Sequence, residues 1–92
     1  MNKINNLRSI IDIIDDQIFE LIKKRLDVVK EIGEIKRQEA IEVQDTKREQ
    51  IIYDRLVEKA IEKNIDPAAV KNIWKALIQA AYDVEGVKNG NR

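Results

Sequence analysis

The single proline of this sequence is Pro67, so no proline interrupts the periodic apolar pattern that begins at Ile4. Ile4, Leu7, Ile11, Ile14, Ile18 and Leu21 alternate in steps of three and four, and the rhythm resumes at Val28, Ile32 and Ile35. That spacing predicts one helix from about Lys3 to about Gln38. At roughly 1.5 Å per residue it would run some 50 Å, whereas a compact chain of this size has a radius of gyration of only about 12 Å. Such a helix must project from any one-chain globule. Ile10, Ile13, Ile22, Leu26 and Val29 widen its apolar surface beyond one stripe. Both features call for a second chain to cover it.

The remaining elements are also helical. Glu39 to Gln44 loses the pattern and reads as a connector. Thr46-Lys47-Arg48-Glu49 has the form of a capping box, with Thr46 as N-cap and Glu49 at the third helical position. Asp45, at or beside that cap, suits the helix dipole. Helix two should run to about Lys63, with Ile51, Ile52, Leu56, Val57, Ala60 and Ile61 on its apolar side. Asn64-Ile65-Asp66-Pro67 stops it and starts helix three, with Asp66 as N-cap and Pro67 as first helical residue. Val70, Ile73, Trp74, Leu77, Ile78, Ala81 and Val84 give helix three its apolar residues, and the polar tail from Gly86 to Arg92 should fray. The expected architecture is all-α: a single domain over residues 1–92, with one long helix and two shorter ones in a homodimer.

Composition narrows the chemistry. Lys plus Arg number 17 and Asp plus Glu number 17, so a nucleic-acid or membrane-surface binder is not expected. No apolar run is long enough to span a bilayer and no signal-peptide pattern opens the sequence, which makes a cytoplasmic location the expectation. With no Cys and no His, thiol catalysis, imidazole acid-base work and the usual zinc sites are excluded, and no metal or cofactor is expected. Gly33, Gly86 and Gly90 are the only glycines, too few and too scattered for a phosphate loop. An enzyme built from this chain works by placement and electrostatics.

One position breaks the seam of the long helix. Arg25 fills the slot between Leu21 and Val28. Arg25, Val29, Ile32 and Lys36 step by four, three and four and share one face, with the two cations about 16 Å apart along the axis. Leaning inward over Val29 and Ile32, they form a cradle for a small anion with an apolar body, most simply a dicarboxylate. Solvated cations at the edge of a packed face are the competing reading. Gly33 costs about 1 kcal/mol against alanine within a helix and marks a close approach of another helix or a ligand. Arg8 points about 100° away from the cradle, so it can serve a partner's cradle or simply sit in solvent. Glu49 has its capping role. Glu85 shares an otherwise apolar face with Trp74, Ile78 and Ala81, and either emerges at the helix end or enters a site.

Taken in order, Leu7-Arg8, Asp12, Asp15-Asp16, Leu21-Ile22, Arg25, Val28, Ile32-Gly33, Lys36, Asp45 and Arg48-Glu49 resemble the all-helical, AroQ-class (type II) chorismate mutases. The match covers about Ile4 to Glu85. The resemblance implies an intertwined helical homodimer with two shared sites, and an isomerase that converts chorismate to prephenate in aromatic amino-acid biosynthesis, the shikimate pathway. It implies that Arg25 binds the ring carboxylate, while Arg8 of the partner subunit joins Lys36 on the enolpyruvyl carboxylate. Lys36 would also donate to the ether oxygen. Glu49 would take the ring hydroxyl with backbone near Asp45, Arg48 would support that corner, and Ile32, Ile52, Ile78 and Tyr82 would be apolar walls.

Two positions depart from the bacterial pattern. Ala81 stands where a serine often assists the ring carboxylate, and Glu85 where a glutamine often donates to the ether oxygen. Two alternatives remain: an isochorismate-pyruvate lyase with an equivalent cation set, and a non-catalytic helical dimerisation or regulatory module. The second would keep the seams but have no need of Arg8, Arg25, Lys36 and Glu49 together.

Overall fold

A computed structural model describes residues 2–86 of the chain. Helix α1 spans Lys3–Gln38, α2 Thr46–Glu62 and α3 Pro67–Glu85, with no strand among the described residues. The expected tail lies outside the described residues beyond Gly86. Gly86 itself caps α3 at φ 98°, its N–H donating to the Tyr82 and Asp83 carbonyls, a left-handed position that suits glycine.

Each helix start has a side-chain cap. Asn2 accepts from the Asn5 N–H at 3.0 Å and Asp66 from the Ala68 N–H at 3.0 Å. At α2 the expectation needs correcting: the N-cap is Asp45, whose carboxylate accepts from the Arg48 N–H at 3.0 Å. Thr46 is the first helical residue, and Glu49 is turned to a different partner. Aspartate and threonine both reach the N2 or N3 amide; here the cap falls one residue earlier than the box pattern suggests.

The two helix exits share one device. Ala40 (φ 55°) and Asn64 (φ 61°) are left-handed, and the next amides return to the carbonyls of Lys36 and Ala60 at 2.8 Å. This is the six-to-one bond of a Schellman ending.

Helix α3 packs against both α1 and α2, while α1 and α2 make no close helix-helix contact with each other. The buried apolar core is therefore small and lies between α2 and α3: Ile52, Leu56, Ala60, Ile78 and Ala81, flanked by Tyr53, Val70, Trp74 and Tyr82. On α1 only Gly33 is buried. Leu7 and Leu21 remain 59% and 62% exposed, and the rest of the apolar seam is comparably open. The chain measures 56 × 25 × 24 Å with a radius of gyration of 16.6 Å, well beyond the compact expectation. No described helix is long and apolar enough to cross a membrane.

Candidate active site

Because α1 and α2 do not close on each other, a cavity of about 250 Å³ opens between them against α3. Helix α1 contributes Arg25, Val29, Ile32 and Lys36, the face that the spacing identified. The first turns of α2 add Asp45, Arg48, Glu49 and Ile52, and α3 adds Ile78, Ala81, Tyr82 and Glu85. Val43 of the connector completes the lining.

One corner gathers charge. Lys36 Nζ donates to the Val43 carbonyl at 2.9 Å and lies 2.9 Å from Glu85 Oε2. The two side chains are only 18% and 6% exposed, so this is a buried ion pair. Glu85 Oε2 is buried without a hydrogen-bond partner and has the Lys36 ammonium as its ion-pair contact. Arg25 Nη1 is likewise buried without a hydrogen-bond partner, and no ion pair holds it among the described residues. Buried polar atoms are nearly always paired, and these two belong to residues lining one cavity.

Three neighbours on α1 hold Glu85 in that corner. A Cβ at Gly33 would meet Glu85 Cα at 3.1 Å and Cγ at 3.2 Å, so the glycine is what lets α3 come this close. Arg37 Nη1 donates to the Glu85 carbonyl at 3.3 Å, a cation on the negative end of α3. Lys36 takes the carboxylate.

The opposite corner is a hydrogen-bond relay. The Tyr82 hydroxyl donates to Glu49 Oε2 and accepts from the Asp45 N–H at 3.1 Å. Burial, and then the bond to Glu49, push the phenol from its ordinary 10.0 up to about 12, against the opposing pull of the Asp45 N–H. The hydroxyl therefore stays protonated through neutral and mildly alkaline pH.

The site thus offers three cations, Arg25, Lys36 and Arg48, and the buried Glu85 carboxylate beside an apolar wall, with the carboxylates of Asp45 and Glu49 at the far end. The family described as chorismate mutase type II matches residues 7–86. The chain belongs to the type II chorismate mutase family. A chorismate mutase of Methanocaldococcus jannaschii is 37% identical over 79 residues, covering 86% of this chain and 80% of that protein. A bifunctional chorismate mutase/prephenate dehydratase of Aquifex aeolicus is 30% identical over 88 residues, covering 92% of this chain but 24% of that longer protein.

Against the family expectation, Arg25, Ile32, Lys36, Asp45, Arg48, Glu49, Ile52, Ile78, Ala81, Tyr82 and Glu85 come together around one cavity. Arg8 does not line its own chain's cavity. Glu85 is buried and lines the cavity, so it does not emerge into solvent at the end of α3. Tyr82 is more than an apolar wall, since its hydroxyl is the node of the relay. Val43, whose carbonyl holds Lys36, went unnoticed because an irregular connector carries no periodic signal.

Proposed function

We propose that this chorismate mutase family protein rearranges chorismate to prephenate. The observation that carries the reading is the buried Arg25 Nη1, without a hydrogen-bond partner, in one apolar-walled cavity with Lys36. One carboxylate of a dicarboxylate ether supplies the acceptor that Arg25 Nη1 lacks. The reaction breaks one C–O bond of the ether and forms one C–C bond within the same molecule, with no net proton, redox or group transfer. It asks nothing of the histidine and cysteine this sequence does not contain.

Arg25 presents a planar fork to the ring carboxylate. Lys36, already oriented by Val43 and Glu85, meets the negative charge that grows on the breaking ether oxygen. Val29, Ile32, Ile52 and Ile78 confine the ring and the enolpyruvyl arm in the folded, reactive conformer. Glu49 accepts the ring hydroxyl, and Arg48 adds positive charge at that end. Glu85 lies beside the Lys36 ammonium and helps to hold it in that corner.

The working unit in this reading is an intertwined homodimer acting as a soluble cytoplasmic enzyme. The exposed apolar seam of α1 and the 56 Å length of the chain support the dimer. Arg8 of the partner subunit then completes the enolpyruvyl end of each site.

The test is turnover of purified protein with chorismate and with isochorismate, followed by ultraviolet absorbance and a pyruvate assay. Chorismate should be consumed with prephenate formed and no pyruvate released. Pyruvate release from isochorismate without chorismate turnover would make the protein a lyase. Inactivity on both would leave a dimerisation module.

A further inference from the structure

We propose that the Tyr82 hydroxyl is a positioning group for Glu49, and that through it the site selects a ligand bearing a ring hydroxyl. The inference rests on the proposed chorismate reading and adds to it a specificity device on α3.

The direction of the relay follows from donor chemistry. A backbone N–H can only donate, so the Asp45 amide occupies a lone pair of the Tyr82 oxygen at 3.1 Å. The single hydroxyl proton is left for Glu49 Oε2, which lies within hydrogen-bond reach. The bond spans from α3 to the first turn of α2, between residues 33 apart in sequence. Glutamate has three side-chain torsions, and this contact removes much of their freedom. It also occupies one carboxylate oxygen. The other makes no hydrogen bond among the described residues, which leaves it open to an incoming O–H.

Desolvation and the Glu49 bond keep the phenol protonated, so the relay keeps one polarity across the working pH range. The Asp45 amide, engaged by Tyr82, is not a free donor for the ligand. The corner is therefore an acceptor built for a hydroxyl. A ligand with the same carboxylates and no hydroxyl gains nothing from it.

The expected signature separates this role from packing. Tyr82→Phe keeps the ring against the core, and the exposed Asp45 amide can turn to water, so the fold is retained, with helicity and melting as checks. Loss of one aligned hydrogen bond to a charged group should raise KM for chorismate about tenfold. The value of kcat should stay within about twofold, because the hydroxyl is remote from the reacting bonds.

The control ligand is the deoxy counterpart of chorismate, read as a competitive inhibitor. Its Ki should be the same for wild type and Tyr82→Phe. In a Glu49→Ala background, adding Tyr82→Phe should produce no further change in KM. An unchanged KM in the single variant would overturn the proposal. So would equal weakening of both ligands, or a Tyr82→Phe effect that persists without Glu49. Chorismate turnover by the wild type, measured alongside, tells a failure of this inference from a failure of the proposed activity.

Discussion

Gly33 is where the fold and the proposed chemistry can be pulled apart by one methyl group. Its backbone has no left-handed φ, so alanine is conformationally acceptable, and in a helix interior it gains about 1 kcal/mol over glycine. Against that, the new Cβ would sit 3.1 Å from Glu85 Cα, 3.2 Å from its Cγ and 3.4 Å from its Cβ. Ordinary carbon contacts lie at about 3.5–4.0 Å, so α3 must move out by roughly half an ångström. The nearest atom is backbone, and no rotamer change relieves it. Overpacking of this kind costs about 1–3 kcal/mol. The two effects largely cancel, and Gly33→Ala should change unfolding free energy by no more than about 2 kcal/mol, in the destabilising direction. Catalysis has no such compensation. The same shift draws Glu85 from the Lys36 ammonium at 2.9 Å and from Arg37 Nη1 at 3.3 Å, and displacements approaching 1 Å cost up to about a hundredfold. We expect kcat to fall about tenfold while the urea midpoint holds or falls by up to about 1 M. The paired assay is chorismate consumption and urea denaturation on the same preparation. Wild-type kcat with a raised midpoint would refute the reasoning, showing that α3 yields without disturbing the site.

Four further outcomes follow from the geometry. Arg25→Met should lower kcat/KM at least about a hundredfold yet leave the urea midpoint unchanged or higher, since a cation with a buried, unpartnered Nη1 is removed; a large loss of helicity would make Arg25 structural. On the dimeric reading, inactive Arg8→Ala and Arg25→Ala chains should regain about a quarter of wild-type activity after subunit exchange, because half the dimers are mixed and each holds one complete site of two. Glu85→Gln keeps the shape beside Lys36 and adds an N–H donor to that corner, so kcat near neutral pH should hold or rise; a loss of about tenfold or more would make the carboxylate's ion pair with Lys36 its main role. Tyr82, raised from 10.0 to about 12, contributes stability that is fully present below about pH 10 and is lost as pH climbs towards 12; Tyr82→Phe should therefore lose less stability than wild type across that window in urea melts.

The helices were legible because their signals are local. The three-and-four rhythm of α1, the Asp66-Pro67 start of α3 and the unpatterned connector each lie within a few residues, and the observed bounds match. Arg25 was legible for the opposite reason, as a break in a strong pattern. What escaped was tertiary. Glu49 sits where a capping box would use it, and its actual partner, Tyr82, lies on another helix. The Asp45-Thr46 pair offers two adjacent caps, and sequence alone does not rank them. Gly33 announced a close approach, but whether a helix or a ligand came near depended on where α3 packs. Ala40 adopts a left-handed ending without the glycine that usually signals one.

The two cations of the cradle are different instruments. An ammonium has three protons. One of Lys36's is committed to the Val43 carbonyl, and Glu85 lies close enough to orient the group further. What remains is a donor with little freedom left, suited to a single oxygen whose charge appears only as the ether bond breaks. Its orientation was fixed during folding, so none has to be found at the moment of reaction. Arg25 carries a buried, unpartnered nitrogen instead, a condition that costs stability until a planar acceptor arrives. On the proposed reading the ring carboxylate is charged throughout the reaction, so the relief Arg25 obtains is gained on binding and contributes mainly to affinity. The division follows from the neighbours of each side chain: a preplaced donor for the charge that develops, and an unsatisfied fork for the charge that is always there.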